Sequence, residues 1–267
     1  MAFLRKMAAL QGVAAGQTAT GNLPLGATYD ILYVYLNVEV SGTATDVPHN
    51  EWGTYLGEIR LMVDGDAKYT MNAADLVAYA KRNGQTIQPG VLPIFLLRPW
   101  MMTPLGQDQT SFGTNGGMQN FQIEIDVKDS VTVNKMEVTA QQSKGKPFGA
   151  HMAMRKYHLN HGVAGPFEVT EIRRSDYNIS SFLIGSDDIE GIEVTINNNQ
   201  VAKTTKPIRR AHASVYGKSE QPGYTFVDFA PDRLRDAILM NVQDFRLTLD
   251  FTDTGNSPIY AESIEPA

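Results

Sequence analysis

The segment F-Q-I-E-I-D-V, Phe121 to Val127, returns in the second half of the chain as F-R-L-T-L-D-F, Phe245 to Phe251. In both copies every second residue is apolar (Phe121, Ile123, Ile125, Val127; Phe245, Leu247, Leu249, Phe251), with polar or charged residues between them. That is the period of a β-strand with one buried and one wet face. One such pair fits any antiparallel protein. The reading therefore turns on whether other segments match in the same order.

Three more do. Y-D-I-L-Y-V-Y-L (Tyr29 to Leu36) has a counterpart in Y-N-I-S-S-F-L-I (Tyr177 to Ile184), and G-E-I-R-L-M-V-D-G-D (Gly57 to Asp66) in E-G-I-E-V-T-I-N-N-N (Glu190 to Asn199), where a strand runs into a tight polar turn. I-F-L-L-R-P (Ile94 to Pro99) matches F-V-D-F-A-P (Phe226 to Pro231), each stopped by proline. Four matches in one order predict a duplicated unit of mainly short strands, with turns about every 8 to 12 residues. The predicted fold class is all-β with a few short helices, each unit suiting a sandwich or jelly roll of about eight strands. The expected division is a first unit at 1–143, a linker at 144–149 within Q-S-K-G-K-P-F-G, and a second unit at 150–267.

Other elements follow from local signals. Further strands are expected at Gln11 to Asn22 and Val131 to Ala140. A helix capped by Asn72, with Asp75 near its start and Leu76, Val77 and Ala80 on its apolar face, should end at Asn83-Gly84. P-D-R-L-R-D-A-I-L-M (Pro231 to Met240) reads as a second helix with proline in its first turn, where the first half has a Gly-, Thr- and Gln-rich loop. Met1 to Leu10 forms a short amphipathic helix candidate, with Phe3, Leu4, Met7 and Leu10 on one face and Arg5 and Lys6 off it; it either docks on its own protein or touches a membrane surface.

Composition narrows the function. The chain of 267 residues has 42% hydrophobic content, enough for a sizeable core, and no cysteine, which removes disulfides and thiol nucleophiles. Its net charge of −6 argues against direct nucleic-acid binding, which needs a basic surface. No apolar run reaches the roughly 20 residues of a membrane span, and the N-terminus lacks an export pattern. A soluble protein made without export is the expectation.

Motifs for chemistry are few. G-K-S at Gly217 to Ser219 lacks the upstream glycine of a phosphate loop, since His212 stands there, and reads as an exposed turn. His151, His158 and His161 fall in H-M-A-M-R-K-Y-H-L-N-H, expected as a helix at the linker end; its spacing matches no standard zinc site, and no H-x-H pair supports a cupin centre. Asp64 and Asp66 in one turn, and Asp187, Asp188 and Glu190 in the matching region, are either solvated turn carboxylates or oxygen ligands for calcium. No catalytic, cofactor-binding or metal residue is assigned; no cofactor is expected beyond a possible structural calcium.

The ordered series A-A-G-Q-T, L-P-L-G-A-T-Y-D-I, the L-M-V-D-G turn, the L-R-P strand end, A-Q-Q-S followed by M-R-K, and D-F-R-L-T-L-D resembles the major capsid protein of corticoviruses and related tailless, membrane-containing icosahedral bacteriophages. The resemblance runs from about Gly12 to Asp250. It implies a double jelly roll, two eight-stranded barrels in tandem, and a structural virion protein rather than an enzyme. The implied assembly is a homotrimeric, pseudo-hexameric capsomer tiling a shell over an internal lipid membrane. Implied partners are neighbouring capsomers, a vertex or penton protein, and the membrane or its proteins. The competing reading is a two-domain carbohydrate-binding or glycan-processing β-sandwich, for which Trp52 and Trp100 are the platform candidates.

Overall fold

The computed structural model describes residues 2–103, 106–107 and 109–267. In the first half the strands are β1 (Phe3–Lys6), β2 (Thr18–Asn22), β3 (Thr28–Val40), β4 (Thr43–Asp46), β5 (Leu56–Val63), β6 (Asp66–Asn72), β7 (Val91–Phe95), β8 (Phe112–Gly113), β9 (Phe121–Val127) and β10 (Val133–Ser143). The second half contributes β11 (His151–His161), β12 (Gly165–Val169), β13 (Asn178–Ile184), β14 (Ile189–Ile196), β15 (Asn199–Thr205), β16 (Thr225–Asp228), β17 (Ile238–Leu239), β18 (Phe245–Phe251) and β19 (Gly255–Glu265). Helices are short: α1 (Trp52–Tyr55), α2 (Ala73–Arg82) and α3 (Lys206–Val215).

The two halves repeat one pairing scheme. In the first, β2-β9-β5-β6 form one layer and β1-β10-β3 the other, with β7 and β8 lying along the far side of β3. In the second, β12-β18-β14-β15 form one layer and β11-β19-β13 the other, with β16 and β17 along β13. Register repeats too: Val63, Leu61 and Ile59 face Phe121, Ile123 and Ile125, as Ile196, Val194 and Ile192 face Phe245, Leu247 and Leu249. Each half is thus a sheet-on-sheet barrel of the jelly-roll type, closed around alternating inward side chains. The helix after the hairpin is duplicated as well, α2 following β5–β6 and α3 following β14–β15.

The barrels lie side by side, joined by a parallel contact of β11 with β6 at Met154 and Tyr69 that continues the first half's layer into the second's. Two apolar clusters fill them. One includes Leu32, Trp52, Leu61, Ile123 and Ile125, and the other Ile179, Phe182, Leu247 and Leu249. Met152, Met154, Leu183 and Tyr260 of the second half belong to the first cluster, so the barrels share core across their boundary.

Four local expectations are corrected. The N-terminal segment is not a helix: Phe3 to Lys6 pair with Gln142 to Thr139 on the open edge of β10, and the Met7 amide extends the ladder to the Val138 carbonyl. A helix of two turns has little intrinsic stability, whereas an open sheet edge supplies backbone partners at once. The histidine-rich stretch is strand β11, paired residue for residue with all of β19; tertiary pairing overrides local propensity there. Pro231 to Met240 holds only a 3-10 turn at Leu234–Asp236, because Ala237 turns extended so that Ile238 and Leu239 pair with Ile179 and Asn178. The expected strand at Gln11 to Asn22 shortens to β2, with one isolated bridge between Gln11 and Thr20.

Candidate functional site

A dense polar construction lies at the seam between the barrels, and α2 contributes Asp75 and Arg82 to it. Asn72 starts the helix in extended conformation, but its side chain makes no backbone cap; its Nδ2 donates instead to Asp75 Oδ2 at 2.9 Å. Positions 75, 79 and 82 share one helix face by the 3.6-residue period. Asp75 accepts hydrogen bonds from the hydroxyls of Tyr224 (2.7 Å) and Tyr260 (2.5 Å), both from the second half. Burial pushes both phenols up, and the Asp75 charge adds to it, so each remains a neutral donor.

At the other end of α2, Arg82 donates to the Asp228 carboxylate and lies 4.1 Å above the Phe226 ring, while Lys218 Nζ donates to Asp228 Oδ1 at 3.1 Å. Burial pushes the Asp228 carboxyl up, but Lys218 and Arg82 together outweigh it and hold the group below the usual carboxylate value. Next along the seam, Arg98 Nε donates to Glu262 Oε1 at 2.5 Å, its Nη2 donates to Ser180 Oγ at 3.3 Å, and Ser181 Oγ donates to Glu262 Oε2 at 2.5 Å. Lys156 bridges Glu58 Oε2 (2.7 Å) and Asn72 Oδ1 (2.9 Å). Removing one member of such a buried pair strands a charge, whereas the intact set fixes one relative position of the two barrels.

A second construction is a clasp present once in each half. The β5–β6 hairpin turns through Asp64 and Gly65, and the β14–β15 hairpin through Asn197 and Asn198, all four with positive φ, which makes both type I′ turns. Asp64 Oδ1 accepts the amides of Gln119 (2.8 Å) and Asn120 (2.7 Å). Asn197 Oδ1 accepts those of Gln243 and Asp244, both at 3.1 Å. Each side chain thereby ties a hairpin tip to the chain entering the repeated strand, β9 or β18.

The residues singled out by sequence scatter. Trp52 is fully buried in the first cluster and presents no face to a glycan. Trp100 is half-buried, its ring edge-on to Tyr79 and Phe95 at 5.7 and 5.3 Å between centroids. His151 and His161 occupy opposite ends of β11, about 33 Å apart at the rise of a strand. His151 packs against Phe112 and Phe148, and His161 stacks on Phe251. Asp64 is committed to its clasp and Asp66 pairs with Lys68 at 2.9 Å. Asp187 Oδ2 accepts the Gly223 amide. Among the described residues no three His, Asp or Glu side chains stand close enough to share a metal ion. Gly217 does sit in a turn, with positive φ, but Lys218 is no solvated turn residue, its side chain running into the seam at 9% exposure.

Sequence placed Asp75 at a helix start and Arg98 and Asp228 at strand ends, but it did not reveal that these residues and Glu262 form a seam, although a signal was present. Two of them place a charge in a buried run: Asp228 beside Val227, and Glu262 between Ala261 and the buried Ser263. A charge in a buried run is almost always paired.

With this geometry established, comparison with known proteins is direct. Residues 4–143 match the model for the viral coat protein P2 N-terminal domain, and residues 152–267 that for the viral coat protein P2 C-terminal domain. The chain is similar to major capsid protein P2 of Pseudoalteromonas phage PM2, 23% identical over 95% of this chain and 93% of that one. The crystal structure of that phage's major capsid protein P2 superposes with a TM-score of 0.87 at 22% identity, covering 100% of this chain and 98% of the other. The atomic structure of Sulfolobus turreted icosahedral virus gives 0.70 at 13% identity over 98% and 90% of the two chains. The PBCV-1 virus capsid gives 0.58 at 9% identity over 99% and 94%. These structural likenesses establish the double jelly-roll fold, and the matched domain models span nearly the whole sequence: the chain belongs to the viral coat protein P2 family, a structural virion component rather than an enzyme.

Proposed function

We propose that the chain is the major capsid subunit of a tailless icosahedral phage, three copies of which form a pseudo-hexameric capsomer over an internal lipid membrane. The observation that carries this reading is the duplication itself. Two barrels with one pairing scheme stand side by side in each chain, so three chains present six near-equivalent barrels, the outline a hexagonal lattice needs. The ionic seam supports it, since a block that tiles must hold its two barrels in one relative position. Exposed apolar side chains of the second half, Val201 (53%), Ile208 (62%) and Val215 (79%), offer lateral contact area. The division into units 1–143 and 150–267 with a linker at 144–149 belongs to the same proposal. So do contacts with neighbouring capsomers, a penton protein and the membrane, and any calcium shared between subunits.

Electron microscopy of the purified protein at rising concentration tests it. Particles with hexagonal outline that associate into flat or curved sheets are expected. Isolated two-lobed monomers at every concentration would reject the reading.

A further inference from the structure

A narrow cleft opens into the seam where Tyr79, Arg82 and Asn83 of α2 and its C-terminus meet Arg98, Ser180, Ser181, Lys218, Asp228 and Glu262. Its hydrogen-bond accounting does not close. Arg98 is 0% exposed, yet among the described residues its Nη1 has no hydrogen-bond partner; Arg82 is 4% exposed, and its Nε has none there either. A guanidinium N–H can only donate, and buried polar groups, charged ones above all, are rarely left without an acceptor. The carboxylates of the cleft are already engaged: both Glu262 oxygens receive bonds from Arg98 and Ser181, and both Asp228 oxygens from Arg82 and Lys218.

Charge tells the same story. The lining carries the cations Arg82, Arg98 and Lys218 against the anions Asp228 and Glu262, which leaves one positive charge uncompensated in a poorly solvated place. The next carboxylate along α2, Asp75, lies outside the lining and is met by Tyr224, Tyr260 and Asn72. Size limits the occupant: the free space is ≈ 10 Å³, room for a single particle about the size of a water molecule and for no polyatomic anion. Phosphate and sulfate are too large.

We propose that this cleft binds one monoatomic monovalent anion, a halide such as chloride, which accepts from Arg98 Nη1 and Arg82 Nε and neutralises the seam between the two barrels. The site has a direct consequence for stability, because a ligand held only by the folded chain stabilises it in proportion to the logarithm of its concentration.

Bromide in place of chloride provides the test. Crystals of the full chain grown in bromide should show an anomalous peak in the cleft within hydrogen-bond distance of Arg98 Nη1. In parallel, the thermal midpoint at constant ionic strength should climb as chloride replaces gluconate, by an equal step for each tenfold rise above the dissociation constant. That climb should vanish in the paired variant Arg98→Met with Glu262→Gln; if the pair fails to fold, the wild-type bromide map decides alone. A water or nothing at all where the bromide peak should stand, or identical midpoints in the two salts, overturns the proposal.

Discussion

Asp64 and Asn197 do the same work in the two halves of the chain. Each occupies the first position of a type I′ hairpin with positive φ, and each uses one side-chain oxygen to accept two successive amides, of Gln119 and Asn120 in one case and Gln243 and Asp244 in the other. Each backbone amide also returns a bond, Asp64 to the Asn120 carbonyl and Asn197 to the Asp244 carbonyl, both at 3.0 Å. What the clasp needs is an acceptor oxygen on a short side chain that tolerates positive φ; it does not need the charge.

Asp64→Asn is therefore expected to leave stability within about 0.5 kcal/mol of the parent. Asp64→Ala removes the acceptor for two amides and should cost about 1–3 kcal/mol. Urea unfolding of the two variants measures the difference, and equal loss in both would show that the carboxylate charge matters.

Tyr260→Phe deletes the hydroxyl that donates to the buried Asp75 carboxylate across the seam while preserving the ring. A loss of about 1–3 kcal/mol is expected, with little change in the slope of the denaturation curve. An unaltered midpoint would mean that water replaces the bond at no cost.

Arg98→Met strands Glu262 in the seam and should destabilise by about 3–5 kcal/mol; adding Glu262→Met should recover most of that, because the pair is then replaced by apolar groups. A double-mutant cycle reads the coupling directly. Additive losses in the double variant would contradict the pairing.

Acid should act in two stages. The His151 imidazole is pushed down by burial and by the charges of Lys68 and Arg155, against the opposing pull of the Gly149 carbonyl and Glu265. The unfolded chain then binds the proton more readily, so stability falls as pH drops below about 6.5. Glu265 and Asp228 are both raised by burial and lowered more strongly by their cations, Arg155 for the first, Lys218 and Arg82 for the second. Their contribution is complete above the unfolded carboxylate values and is lost as pH falls from about 4 downward. Thermal midpoints measured from pH 8 to 3 should show both steps, and His151→Gln should remove only the first.

Sequence alone carried the architecture because the repeated signal was period-two alternation over long strands. The four segments matched by sequence are β3 with β13, β5 with β14, β7 with β16 and β9 with β18, and each pair holds equivalent positions in the sheets. Where the reading went astray, the deciding partner was distant in sequence. Phe3 to Lys6 are a strand only because β10 offers an edge, and the histidine stretch is a strand only because β19 runs beside it. The seam was hidden for the same reason: Asp75 and Tyr260 lie at opposite ends of the chain, and no local pattern links them.

The central claim is that this duplicated chain is one third of a capsid block, and native mass by light scattering tests it most directly. A particle near three times 29.4 kDa is the expected result. The same measurement in a calcium chelator separates a trimer held by protein contacts, which persists, from one held by a shared cation, which dissociates. A stable monomer in both conditions would contradict the account.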